Sequence, residues 1–223
     1  ERNVKEEEEK RSWINEGLAK FAEILRQNND DLVRLGDELI KNIVWYLKAN
    51  LGGLFIANEN KGEVTYDLVS AFAYDRIRYI ERSFQEGEGL VGSCAVEKET
   101  IYLLEVPDNY IEITSGLGGA RPNSVLLIPL KIDEDVLGVI ELASLKKFLP
   151  HEIEFMEKIA ESIASALRTV RINQKTAELL RVSQEQSEIL KAQEEEMRQN
   201  MEELQATQEE SARKASEMEG LVE

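Results

Sequence analysis

The chain offers one thiol, Cys94, and one imidazole, His151, so the side-chain chemistry open to it is narrow. A cysteine acts as nucleophile or metal ligand only as the thiolate, which calls for a neighbouring base or cation. Ala95 follows Cys94, and no histidine stands near it in sequence. Cys94 is therefore expected to be a small buried thiol lining a pocket, and His151 a solvated residue in the first turn of a helix. A single cysteine excludes an internal disulfide and any cysteine-rich zinc site, and a metal centre built on His151 lacks a second ligand. No metal, no cofactor, no catalytic residue and no enzyme activity are expected.

Among the carboxylates, Asp67, Asp75, Glu86 and Glu88 are not spaced as a catalytic pair. Glu141 stands apart because it sits inside the apolar strand pattern Val139-Ile140-Glu141-Leu142-Ala143. It has two readings: a strand position facing a pocket mouth or solvent, or a polar contact to a ligand. The run Gly87-Glu88-Gly89-Leu90-Val91-Gly92 has the spacing of a dinucleotide fingerprint but follows no parallel-strand pattern, so it reads as turn chemistry. Tyr102, Tyr110, Thr114, Ser115 and Arg121 give the glycine-rich middle of the chain aromatic walls, hydroxyls and a cation. Small-molecule pockets combine apolar walls with a few such groups.

The elements that must position these residues follow from hydrophobic periodicity. Ile14, Leu18, Phe21 and Leu25 make one stripe of a helix over Asn3 to Gln27, with Glu6 to Glu9 on its solvated part. Asn28 to Asp31 can cap a second helix, Leu32 to Ala49, which Gly52-Gly53 is expected to end. Strands follow at Leu54 to Asn58 and Val64 to Tyr74. Asp75 to Pro122 reads as an irregular insert with a short helix at Leu90 to Glu97, a strand at Ile101 to Leu104 and a short helix at Pro107 to Ile113. The two apolar, β-branched runs Val125 to Ile132 and Val136 to Ala143 flank Asp133-Glu134-Asp135 and form a hairpin. Its continuous apolar stretch, Val125 to Ile128, predicts a strand covered on both faces, with Pro129 at a bulge or unpaired position.

Pro150 opens a final helix in which Met156, Ile159, Ile163, Ala166, Val170, Asn173, Ala177 and Leu180 alternate in steps of three and four. The alternation resumes at Ser183, Ser187, Leu190, Glu194, Met197, Met201, Leu204, Gln208, Ser211, Ala215, Met218 and Val222, with a slip between Ala177 and Ser183. The helix is too long to fold back on the domain throughout, so its distal seam predicts a partner helix, most simply a second copy of the chain. Several polar seam residues make the coil marginal. Residues 176–223 carry 13 acidic and 5 basic side chains, from which modest repulsion between paired helices is expected.

Over 223 residues the formal net charge is -17, which argues against a nucleic-acid surface, because phosphate contacts need clustered Lys and Arg. No apolar run approaches the ~20 residues that cross a bilayer, and no direct membrane contact is expected. The lack of an initiator Met and of a signal peptide, and an end in mid-helical pattern, read as an excised fragment of a cytoplasmic protein or of the cytoplasmic part of a membrane-anchored sensor.

Taken in order, Gly87 to Gly92, Val125-Leu126-Leu127-Ile128-Pro129-Leu130, Gly138-Val139-Ile140-Glu141-Leu142-Ala143-Ser144, Phe148 and Glu152-Ile153-Glu154-Phe155 resemble the GAF domain family of small-molecule sensory domains. The acidic stretch Gln193 to Leu204 is similar to the signalling helices that join GAF domains to a following output or PAS-type domain in bacterial sensors. The resemblance implies an α+β, GAF/PAS-like fold: an antiparallel sheet with helical layers on its faces, a ligand pocket under short helices and loops, and a long C-terminal coiled-coil helix. It divides the chain into a linker helix (1–29), a GAF-like domain (30–172) and a coiled-coil signalling helix (173–223).

Bilin-binding relatives attach the chromophore to a cysteine usually followed by histidine, which Ala95 does not match. Methionine-sulfoxide-reducing relatives use more than one cysteine, and the Asn-Lys-x-x-Phe-type signature of cyclic-nucleotide binders is missing. The candidate ligand contacts are Tyr74, Leu90, Cys94, Tyr102 and Tyr110, with Thr114, Ser115, Arg121, Ser124 and Glu141. The expected function is a signal input and relay module, homodimeric through its helices. It would sense an unidentified small molecule or a neighbouring domain and act on an output unit such as a histidine kinase or a PAS-linked domain. The alternative is a ligand-free dimerisation spacer.

Overall fold

The amphipathic helices α1 (Arg2–Gln27) and α2 (Leu32–Leu47) open the chain. The computed structural model describes residues 2–219 except 28–30, 61, 74–75, 79–81, 108–109, 111–112 and 116–117. Asp31 caps α2 by accepting from the Val33 and Arg34 N–H groups at 2.9 and 3.1 Å. Lys48, in the left-handed conformation at φ 52°, closes it. Gly52 and Gly53 thus do not end the helix. They lie inside β1 (Leu51–Asn60), where a Cβ on Gly52 would come within 2.6 Å of Val44 on α2. Glycine there lets the helix rest on the strand.

The remaining elements are β2 (Glu63–Ala73), β3 (Arg76–Arg78), β4 (Ser83–Gln85), α3 (Gly89–Glu97), β5 (Ile101–Leu103), β6 (Ile113–Ser115), β7 (Gly118–Ala120), β8 (Ser124–Ile132), β9 (Asp135–Ser144) and α4 (Pro150–Glu219). The main antiparallel sheet has the order β3-β2-β1-β9-β8-β5, with β4 also on β2; β6 and β7 form a separate ribbon. The hairpin expected from the sequence is β8–β9, at the middle of the sheet, with a register shift at Leu130/Lys131. Strand β5 pairs only with Val125 to Leu127, so it stops short of Pro129 and asks no donor of it.

Two local expectations fail, and a third lies partly outside the described residues. Of the short helix expected over Pro107 to Ile113, residues 108–109 and 111–112 are not described; Tyr110 N–H donates to Pro107 O at 3.3 Å, and Ile113 begins β6. Thr114, Ser115, Gly118 and Gly119, read as loop, pair as part of the ribbon of Ile113–Ser115 with Gly118–Ala120. Strands β3 and β4 were not expected. At three residues each they are too short for a period-two pattern to emerge.

Period-two alternation divides the core between the two sheet faces. One face (Leu54, Ile56, Phe72, Leu126, Ile128, Leu130, Ile140, Leu142) meets α1, α2 and α4. The other (Phe55, Tyr66, Val125, Leu127, Val139, Ala143) meets α3. That double cover is why Val125 to Ile128 reads as an unbroken apolar run.

On the helical face, Trp13, Phe21, Tyr46 and Phe155 form an aromatic knot with ring centroids 4.6 to 6.0 Å apart. Tyr46 OH donates to Trp13 O at 2.6 Å. Helix α1 thus contributes Ile14 and Phe21 to the core. The chain forms two compact units, residues 1–173 and 174–223, and α4 runs through both.

Candidate functional site

Glu141 lies on the α3 face of the sheet, between Val139 and Ala143. Its Oε1 accepts a 2.5 Å hydrogen bond from the Tyr110 hydroxyl. Burial pushes the Glu141 carboxyl above the usual carboxylate range, while the Tyr110 hydrogen bond and the charge of Arg82 pull it partly back. Burial, and then the Glu141 charge, push the Tyr110 phenol upward, so it stays a donor at neutral pH. The pair ties the insert to the strand that leads to α4.

Cys94 is wholly buried in the same layer, its Sγ 3.4 Å from Glu99 O. Burial, and secondarily the Glu97 charge, push its thiol up to about 12, so it is an inert wall rather than a nucleophile. Leu90 packs at the edge of this cluster, as do Phe84 and Val106.

The glycine motif has a conformational cause. Gly87 and Gly89 have φ of +77° and +60°, and a Cβ on Gly92 would fall 2.2 Å from Gln85 O. These residues turn β4 into α3 and bring the helix close to the strand, as the turn reading expected. Glu88 serves the same turn by accepting from Gln85 N–H at 2.8 Å.

Two candidates belong elsewhere. Tyr102 packs with the helical-face core and donates its hydroxyl to Phe148 O at 3.0 Å. Ser124 is buried and donates to Lys146 O at 2.7 Å. The structure does not bring either together with Glu141. Arg121 is exposed in the link before β8. Tyr74 lies outside the described residues, as do the side chains of Thr114 and Ser115 and the residue Asp75. His151 is not simply solvated: it packs edge-on against Trp13, centroids 5.1 Å apart. Asp67 is held by the Ser83 hydroxyl at 2.6 Å and Asn58 at 3.0 Å, a structural use.

Tyr102 and Ser124 instead join a set of bonds that fixes the link from β9 to α4. Asn50 Oδ1 accepts from Leu145 N–H at 2.8 Å, and Asn123 donates to Leu145 O. Ser144 Oγ accepts from Lys146 N–H at 3.2 Å. Buried Glu152 accepts from Leu149 N–H at 2.8 Å and pairs with Lys146 at 2.7 Å, capping the first turn of α4. The sequence signal for Glu152 was its place in the turn opened by Pro150; Asn50 and Asn123, distant in sequence, gave none.

Open grooves lie to the side. One, of about 410 Å³, is lined by Lys98, Thr100, Pro129, Lys131, Glu157 and Glu161, and another of about 420 Å³ includes Tyr66, Glu86, Glu134 and Arg171. Neither includes Glu141 or Tyr110. Among the described residues no group of three or more His, Cys, Asp or Glu side chains is placed to hold a metal ion. Nor is any helix among them long and apolar enough to cross a membrane.

A helix-flanked antiparallel sheet with a short helix and loops on its second face fits the family expectation, and the sequence model of the GAF domain matches residues 30–168. The chain belongs to the GAF domain family. GAF domains are commonly signalling and sensor modules. No curated protein matches the sequence. Among solved structures, the GAF domain of a phosphoenolpyruvate-protein phosphotransferase (ptsP) from Coxiella burnetii is 20% identical, with a TM-score of 0.58 over 73% of this chain and 96% of that one. The nlh2 GAF domain of A. aeolicus, in an inactive state, is 17% identical, with a TM-score of 0.55 over 71% and 98%. Free methionine-R-sulfoxide reductase from Neisseria meningitidis, in complex with its substrate, is 15% identical, with a TM-score of 0.57 over 71% and 90%. These likenesses establish the shared GAF fold, which serves regulators and also an enzyme.

Proposed function

We propose that this GAF domain is a signal input and relay module. It takes a small molecule or a neighbouring-domain signal on the α3 face of its sheet and passes it through a dimeric coil to an output domain, such as a histidine kinase or PAS-linked unit. One observation carries the reading: α4 is a single helix that contributes to the domain core as far as Val170 and continues to Glu219 with side chains exposed almost throughout. A relay needs one element shared by sensor and coil, and α4 is such an element. The hydrogen-bonded link between β9 and α4 supports the same reading, since it leaves little slack between sheet and helix.

A ligand moves such an equilibrium only by binding its two states with different affinity. A thermal-shift screen of the whole chain with nucleotides, amino acids and metabolites tests the sensory half. A true ligand at ~100 times its dissociation constant adds ~2.7 kcal/mol and raises Tm. The second reading, a ligand-free dimerisation spacer, draws on the close filling of the described α3 face, where Val91, Cys94, Val125, Leu127 and Val139 are buried. No shift across broad chemistry would favour the spacer.

A further inference from the structure

We propose that α4 pairs in parallel with a second copy of this chain along a seam that begins at Ile172, and that this seam changes register by one residue between Ile189 and Leu190. The inference rests on the relay reading of α4 and gives it a defined surface.

The starting point is where the domain stops using the helix. Val170 is fully buried in the domain core, so the stripe that ends there is spent within the chain. Ile172, two residues on and therefore ~200° around the helix, is 56% exposed. The seam offered to a partner cannot continue from Met156, Ile159, Ile163 and Val170, as the sequence periodicity alone suggests. It starts from Ile172.

From Ile172 the heptad positions are Ile172, Lys175, Leu179, Val182, Gln186 and Ile189, mostly apolar. Continued in the same register, they become Gln193, Glu196, Asn200 and Glu203, all polar. The register one residue later behaves in reverse. Beyond Ile189 it reads Leu190, Glu194, Met197, Met201, Leu204, Gln208, Ser211, Ala215 and Met218, apolar at six of nine positions, but before Leu190 it reads Asn173, Thr176, Leu180, Ser183 and Ser187. Each register fails where the other succeeds, and they meet at one apolar doublet, Ile189-Leu190. An interruption of the heptad there alters the local winding of the pair. It replaces the slip expected between Ala177 and Ser183.

The charges argue for self-pairing. In the distal register Glu195 and Glu196, Glu202 and Glu203, and Glu209 and Glu210 repeat every seven residues at positions b and c, on the back of the helix. Arg198, at the flank, bridges Glu195 and Glu202 on that back, both at 2.6 Å. The flanking e and g positions hold Lys191, Gln193, Arg198, Asn200, Gln205 and Thr207, none of them acidic. Parallel pairing sets Gln193 against Arg198 and Asn200 against Gln205 of the second copy, with no like charges facing at these flanks; in the seam itself Glu194, at position a, meets the Glu194 of the second copy. Glu194 apart, the acidic excess of this segment therefore repels a second copy less than its total implies.

Single cysteines placed in the full chain test the seam, read as the disulfide-linked fraction after mild oxidation; buried Cys94 serves as the unlinked background. Leu179→Cys is expected to link ~5-fold more than Leu180→Cys, and Leu204→Cys to link far more than Glu203→Cys. If Leu204→Cys links while Leu180→Cys equals or exceeds Leu179→Cys, the register change is wrong and the self-pairing stands. If none of these variants links and circular dichroism shows the helix intact, self-pairing itself is wrong, and the coil of the relay reading falls with it.

Discussion

The two faces of the sheet are built on different rules. The helical face is a dry, interlocked core in which Phe21, Leu35, Leu39, Ile43, Leu126, Phe155, Ile159 and Leu167 are all nearly inaccessible. The α3 face is thinner and carries a buried carboxylate, a buried thiol and a tyrosine from an insert. Stability resides mainly on the first face. Polar groups that burial has shifted from their ordinary behaviour are concentrated on the second. The β9–α4 link joins them: β9 presents Glu141 to one face and Leu142 to the other, then runs through the clamped link into α4.

Four substitutions probe that contrast. Phe155→Ala, at the centre of the aromatic knot, should cost about 3 to 5 kcal/mol in denaturant unfolding. A loss near 1 kcal/mol would mean the helical face is not the main store of stability. Glu152→Ala removes the acceptor of Leu149 N–H and leaves Lys146 without its 2.7 Å partner. It should cost about 1 to 3 kcal/mol. Tyr102→Phe loses only the bond to Phe148 O and should cost about 1 kcal/mol, with hydrogen exchange rising first at the start of α4.

Glu141→Gln should have the smallest effect and the opposite sign at neutral pH. The Glu141 carboxyl sits above its ordinary value, chiefly through burial. The native state therefore favours the protonated form, and the stability this gives is complete below the unfolded-state value of 4.5 and lost as pH rises through the raised one. Glutamine lacks that loss and can still accept from Tyr110. Relative to the parent, the variant should gain stability as pH rises from 4 to 7, measured by urea unfolding at each pH. A difference independent of pH would show that Glu141 is not buried as a charge.

The fold was legible in the sequence where periodicity is long. The stripe Ile14-Leu18-Phe21-Leu25 marked α1, and the paired runs around Asp133-Glu134-Asp135 marked β8 and β9 as a central hairpin covered on both faces. The site was legible only in part. Glu141 was conspicuous as a charge in an apolar strand, and Cys94 as an isolated thiol. Tyr102 and Ser124 misled because residue type does not reveal which sheet face a side chain takes when both faces are apolar. One residue of register separates the α3 face from the link clamp. The link partners Asn50 and Asn123 were silent because their bonds span distant sequence. The start of any α4 seam was not legible in the sequence for a related reason. Periodicity records that Val170 is buried, not whether its own domain or a second chain covers it.

The central claim is that the α3 face and the coil form one device. The most direct test compares the Leu179→Cys and Leu180→Cys disulfide fractions in the parent chain and with Tyr110→Phe, which cuts the insert from Glu141 and leaves the helical face untouched. Coupling predicts that Tyr110→Phe changes the ratio of the two fractions. A ratio identical in both backgrounds, with the dimer intact, would contradict it.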